Sequence, residues 1–200
     1  IVLDVTVGKG AFMKTLDEAE KLSKEMIEIG KLANRETICI LTNMNEPLGY
    51  AVGNNLEVIE AIEFLRGNLP EDLKEVVLEL GSYMIKLAGL GDSIEENKQK
   101  MLENIKNGKA LKKLEEMIEN QGGKIEYIED TNKFEKANYK KEIKATKNGY
   151  IQDINAEDIG KLACYLGAGR IKKEESIDNS VGIILKKKVS EKVDIGNVLA

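Results

Sequence analysis

The chain has 200 residues, 42% hydrophobic and 32% charged, with 30 Lys and Arg against 35 Asp and Glu for a formal charge of -5. That balance specifies a folded globular protein and argues against a disordered chain or a basic nucleic-acid surface. There is no His, which removes His-based acid–base chemistry, Ser-His-Asp triads and most transition-metal sites from this chain.

In chain order, Ile1-Val2-Leu3-Asp4-Val5 reads as a buried strand already under way, predicted over residues 1–6. Gly8-Lys9-Gly10 forms a loop, and Leu16, Ala19, Leu22, Met26, Ile29 and Leu32 recur at helical spacing, predicting a helix from Leu16 to Ala33. Thr37 to Thr42 is β-branched and short, a second strand, so the opening is a β-α-β unit with parallel strands and a right-handed crossover. Four helical stretches follow, Leu56–Leu65, Leu73–Leu87, Ile94–Ile105 and Leu111–Ile118, each closed by glycine and expected to cover the sheet. Composition changes after Gly123: short β-like runs at 141–145, 149–154 and 181–185 are split by a helical Asp158–Leu166. The expected fold is α/β, α+β overall. A helix-covered sheet domain spans 1–137 and a β-rich domain spans 138–200. Both ends read as cut from something longer, the last residues resembling the start of a strand.

Cys39 and Cys164, one in a predicted strand and one in a predicted helix, suit reduced thiols in a cytoplasmic protein better than a disulfide framework. No apolar run reaches the roughly 18 residues of a membrane span, so neither membrane nor nucleic acid is an expected partner.

The densest signal lies between Leu41 and Val58, where a strand runs into a loop holding Pro47, Gly49 and Gly53, after which Asn54 or Asn55 can cap a helix. Loops after strand ends are common ligand positions in α/β proteins. Glu57, Glu60 and Glu63 follow at helical spacing; a solvated acidic face is the default, but Glu60 is close enough to the loop to complete an oxygen cage with backbone carbonyls around a hard cation. Gly8-Lys9-Gly10 lacks the spacing of a phosphate loop and reads as a structural turn. Gly167-Ala168-Gly169-Arg170 reads as a helix end, and Lys186-Lys187-Lys188 as protection of a strand edge.

Taken together, Ile1-Val-Leu-Asp-Val, Gly8-x-Gly-Ala-Phe-Met13, Pro47-Leu-Gly-Tyr-Ala-Val-Gly-Asn54 with Leu56-Glu57-Val58, Gly149-Tyr150, Leu166-Gly-Ala-Gly-Arg170 and Ile177-Asp178 with Val181-Gly182 resemble the pyrimidine-nucleoside phosphorylases, the family that includes thymidine phosphorylase. The resemblance covers almost the whole chain. It implies attack of phosphate on C1′ of a pyrimidine nucleoside, giving free base and pentose 1-phosphate, in a homodimer with no organic cofactor. It also implies that the family's small α-helical domain, its phosphate-binding Lys, Ser and Thr, and its base-holding Arg, Ser and Lys precede Ile1. Residues 1–137 would then be the later part of the α/β domain and 138–200 a truncated hammerhead-like domain, with no catalytic residue inside and no activity for the isolated chain.

Two family features fall within it. Phe12 matches the position lining the pyrimidine pocket near C5. Leu48 and Ala51, through their carbonyls, and Glu60 match ligands of a potassium ion. Two departures stand out: the first strand ends Asp4-Val5-Thr6 where the family usually reads Asp-Val-Lys, and Lys9 occupies a position normally small, where it could replace the missing charge. Two rival readings are a non-enzymatic carrier of biotinyl or lipoyl type, which needs a modified Lys in a tight hairpin, and a phosphoribosyltransferase, which needs a pyrophosphate-binding glycine loop. Neither signature is found.

Overall fold

In the computed structural model, which describes residues 1–200, β1 (Val2–Val7) pairs in parallel with β2 (Ile38–Asn43) in the register Val2↔Ile38 through Val7↔Asn43. The connecting α1 (Leu16–Leu32) starts at a capping box. The Thr15 hydroxyl accepts from Glu18 N, and the Glu18 carboxylate accepts from Thr15 N, so two orphan donors of the first turn are satisfied. The β-α-β unit is therefore as the sequence specifies it.

After β2 a loop leads to the two-residue β3 (Ala51–Val52), then α2 (Asn54–Leu65), α3 (Glu71–Leu87), α4 (Ile94–Lys106), α5 (Lys109–Asn120) and the short α6 (Glu126–Glu129). The expectation that all these helices cover the sheet is corrected. Besides α1, the helix packed substantially on both β1 and β2 is α3; α4 packs on α3, and α5 on α4. The helices form successive layers, with Ile62, Phe64, Leu78, Ile105 and Ile128 buried between them. Asn97, fully buried, joins α4 to α3 by donating to the carbonyls of Ser82 at 3.1 Å and Gly91 at 2.9 Å.

Asn54 and Asn55 do not cap α2. Its N-cap is Gly53 at φ 140°, and the Glu57 carboxylate accepts from the Gly53 amide at 3.0 Å. The two Asn side chains reach outward instead, Asn54 to the Ala168 carbonyl at 2.9 Å and Asn55 to the Glu135 carbonyl at 3.2 Å.

The last third of the chain is less regular than expected. Of the anticipated strands, Gly149–Tyr150 (β4) and Ile183–Ile184 (β5) form, and Lys192–Val193 (β6) is added; 141–145 contributes only a bridge, Lys144 to Val198. The helix α7 (Ala156–Ala163) runs into a wider turn over Cys164–Ala168 and stops where Gly167 adopts φ 107°. β4 pairs antiparallel with β6, distant in sequence, so no tight hairpin displays a Lys as a carrier domain requires. Both cysteines are free, and no helix is long and apolar enough to cross a membrane.

β5 pairs antiparallel with β3, Ala51↔Ile184 and Val52↔Ile183, which fastens the C-terminal segment to the loop after β2. Two glycines permit that approach. A Cβ on Gly182 would lie 2.2 Å from the Val52 carbonyl oxygen, and one on Gly53 would lie 2.5 Å from that of Val181. Both obstacles are backbone and cannot swing aside, so Gly182→Ala is expected to destabilise the protein by about 1–3 kcal/mol. Urea unfolding of the variant checks this; an unchanged midpoint would mean that the two strands have room to separate.

Candidate functional site

The residues between Met44 and Val52 follow the C-terminal end of β2, beside the turn Gly8–Met13 that follows the C-terminal end of β1. In α/β sheets this end is where ligands gather. The two loops are tied together: Gly10 N donates to the Met44 carbonyl at 2.8 Å, and Lys9 N to Asn45 Oδ1 at 3.2 Å. Gly8 N donates to the Met13 carbonyl at 3.0 Å. All three amides of Gly8-Lys9-Gly10 thus have protein acceptors, which supports the structural-turn reading over a phosphate cradle. Phe12 stands on this turn with 97% of its surface exposed.

Glu60, on one face of α2, turns its carboxylate onto the second loop. Its Oε1 accepts from Tyr50 N at 2.8 Å and its Oε2 from Ala51 N at 3.4 Å. Gly49 makes room, since a Cβ there would lie 2.4 Å from Glu60 Oε2, and φ is +67°. Leu185 N donates to the Tyr50 carbonyl at 2.7 Å, which puts the adjacent Ala51–Ile184 pair in the wide, unbonded register, with the Ala51 peptide groups facing away from β5. The Leu48 carbonyl accepts no hydrogen bond. So Leu48, Ala51 and Glu60 present oxygens in one short stretch, a donor set that suits a hard cation. The acidic face on α2 is not merely solvated: Glu57 holds Gly53, Glu60 holds the loop, and Glu63 pairs with Arg66 at 2.6 Å.

Sequence reasoning missed the other half of this site. Lys188 is no edge guard; its side chain is 11% exposed, and its ammonium is driven into the same loop. It donates to the carbonyls of Pro47 and, at 3.0 Å, Gly49, pairs with Asp72 at 2.8 Å and Glu46 at 3.5 Å, and lies 5.9 Å from the centre of the Tyr50 ring. Asp72 accepts from Gly49 N at 3.0 Å, and Glu46 from Val189 N at 3.1 Å, so each acid also grips backbone. A triple-Lys run gives no periodic hint that its third member turns inward, and Asp72 reads in the sequence as an ordinary first-turn acid of α3.

Lys9 does not stand free to replace a missing charge; its ammonium pairs with Asp153 at 2.6 Å, and Lys14 pairs with Glu157 at 3.4 Å. Both contacts fasten the start of the chain between β1 and α1 to the C-terminal segment, and Ala156 N, donating to the Asn45 carbonyl at 3.1 Å, fastens the second loop to it as well. Two cavities border the second loop. One of about 300 Å³ is walled by Thr42, Asn43, Glu46, Leu48 and Asp72. The other, about 710 Å³, is walled by Tyr50, Ala51, Glu60, Leu69 and Ile184. Phe12 lines neither.

Residues 1–111 match the profile of a glycosyl transferase family, its a/b domain, and residues 150–200 match that of the pyrimidine nucleoside phosphorylase C-terminal domain. The chain belongs to the glycosyl transferase family that includes the pyrimidine-nucleoside phosphorylases. It is 47% identical over 199 residues to the pyrimidine-nucleoside phosphorylase of Bacillus subtilis (strain 168), and 50% identical over 200 residues to that of Staphylococcus epidermidis (strain ATCC 12228). The one from Staphylococcus aureus (strain USA300) is 47% identical over 199 residues. In each case all of this chain aligns with 46% of the relative, so the chain spans about half the length of the curated relatives it matches. The match over 150–200 falls on residues that the carrier reading would need.

Burial raises the Asp72 carboxyl, but hydrogen bonds from Lys188 and Leu73, the Lys188 charge and the Gly49 amide outweigh it and hold the group below its usual range. A carboxyl lowered on folding stabilises above its unfolded value of about 3.9 and loses that contribution as pH falls through the folded value. The melting temperature is therefore expected to drop below about pH 4, and Asp72→Asn to flatten that part of the profile. A drop of equal size in the variant would assign the acid sensitivity to other carboxylates.

Proposed function

We propose that this chain is the C-terminal half of a pyrimidine-nucleoside phosphorylase, in which phosphate oxygen attacks C1′ of a uridine- or thymidine-type nucleoside as the bond to the base breaks. The pentose 1-phosphate keeps the sugar, and the base leaves with the bonding electron pair. Charge develops on the sugar and on the base, so donors aimed at phosphate and base supply the stabilisation. The resemblance puts those donors before Ile1. Within this chain Phe12 supplies an apolar ring for the pyrimidine near C5.

The observation that carries the reading is the unfinished sheet. β1 and β2 pair only with each other, although parallel strands are normally buried on both faces within larger sheets. Leu41 is 38% exposed, while Ile1, Leu16, Ile29 and Leu32 nearby are 56–86% exposed. Relatives about twice as long have the chain to finish and cover that layer. On this reading residues 1–137 complete an α/β domain and 138–200 form a hammerhead-like domain, in a cytoplasmic homodimer.

Leu48, Ala51 and Glu60 would hold a potassium ion through two carbonyls and a carboxylate. When bound, the ion supplies charge that neutralises Glu60 and ties the loop to neighbouring chain; it takes no part in bond making. The hydrogen bonds that fix Glu60 and leave the Leu48 carbonyl uncommitted support this assignment.

The isolated chain is expected to release no base from uridine or thymidine with phosphate. A chimera joining the N-terminal half of the Bacillus subtilis relative to this chain is expected to regain phosphorolysis, with KM raised several-fold by Phe12→Ala. A folded chimera that binds phosphate but cleaves neither nucleoside would overturn the assignment. In the same chimera, potassium chloride is expected to raise the melting temperature above equimolar choline chloride, and Glu60→Gln to abolish the difference. An identical potassium response in Glu60→Gln would move the ion elsewhere.

A further inference from the structure

The ammonium of Lys188 meets four oxygens. Two are backbone carbonyls, that of Pro47 and, at 3.0 Å, that of Gly49; two are carboxylate oxygens, Asp72 at 2.8 Å and Glu46 at 3.5 Å. The Tyr50 ring centre lies 5.9 Å away. An all-oxygen shell of carbonyls and carboxylates around a positive charge is the donor set of a hard cation, and an ammonium presents three donors to it. The shell is assembled from two places in the chain, the loop at 46–49 and the first turn of α3, and the segment between β5 and β6 brings the ammonium to it.

We propose that Lys188 is a tethered cation, a positioning residue by which the C-terminal segment fixes the backbone of the 46–50 loop. The carbonyls alternate in their use. Pro47 and Gly49 are turned to the ammonium, Tyr50 to Leu185 N, and Leu48 accepts from nothing in the chain. Gly49, at φ +67°, bends the loop here, and holding the Pro47 and Gly49 carbonyls on Lys188 fixes the two peptides that flank the Leu48 carbonyl. The oxygens proposed to hold potassium are therefore presented only when the C-terminal segment is docked. This last consequence rests on the potassium reading; the tethered-cation role does not.

The test is chemical replacement. Lys188→Ala removes three methylene carbons and the ammonium, leaving space shaped for the n-propylammonium ion. Melting of the variant chain is measured in n-propylammonium chloride, in choline chloride at equal ionic strength, and in choline chloride with n-propanol, the neutral near-isostere. The variant is expected to melt several degrees below wild type in choline, to recover at least half of the loss in tens of millimolar n-propylammonium, and to gain nothing beyond choline from n-propanol. Wild type is expected to show no preference for n-propylammonium. Equal responses to the three solutes, or a variant as stable as wild type in choline, would overturn the proposal.

Should Lys188→Ala fail to fold, Lys188→Met keeps the stem's bulk. Amide exchange at Gly49, Tyr50 and Ala51 is then expected to quicken at least tenfold, with β1 and β2 amides unchanged; unchanged exchange at the three loop amides would equally refute the role. The two readings separate cleanly. Absence of a potassium response in the intact chimera defeats the ion assignment, whereas the role of Lys188 stands or falls on rescue by n-propylammonium.

Discussion

A positive charge cannot be withdrawn from water without partners, and at Lys188 that constraint organises everything around it. Truncating one member of such a pair costs on the order of 3 kcal/mol, toward the low end here because Asp72 keeps 34% of its side chain in solvent. The ammonium recruits the start of α3 through Asp72 and the loop through Pro47 and Gly49, and Glu46 closes the ring onto Val189 N. The β3–β5 pair, the Gly53–Gly182 contact and the Lys9–Asp153 bridge all converge on the same strand ends. The C-terminal segment is thus less a separate appendage than the clamp on the loops of the β-α-β unit.

The opening unit is legible because local rules and packing agree there. The apolar run at the first strand, the β-branched run at Thr37–Thr42 and a 3.6-residue apolar stripe between them each specify one answer, and the capping box at Thr15 and the parallel pairing agree with it. Agreement fails where tertiary demands override local ones. Asn54 and Asn55 are good caps by type, yet Glu57 takes the Gly53 amide and frees both amides to bond distant carbonyls. In the last third, β-like runs of five or six residues shrink to two-residue strands, because each pairs with a far partner over a short length.

The site was half legible. Glu60 could be placed near the loop by counting one helical turn, and the resemblance directed attention to Leu48 and Ala51. Lys188, Asp72 and Glu46 could not be found that way. Their meeting depends on how β5 docks, which no local pattern encodes, and burial of a lysine inside a basic run contradicts the usual meaning of such a run. The position of Phe12 is set by its turn, whose Gly8, Lys9, Gly10 and Ala11 amides are taken up by the protein, leaving the ring as the turn's outward feature.

The ammonium of Lys188 and the Gly49 carbonyl it holds are 139 residues apart. A ribosome making this chain therefore releases the loop long before its clamp exists. At about 5–20 residues per second, the carbonyls of Pro47 and Gly49 and the carboxylates of Asp72 and Glu46 spend many seconds hydrated, with acid unbalanced by base. Closing so distant a contact costs loop entropy that local helices do not repay. The β-α-β unit can form early, but the loop acquires its final carbonyl order only after Lys188 has been made. The ordered form of that loop is accordingly gained late and, when the C-terminal segment lets go, lost early.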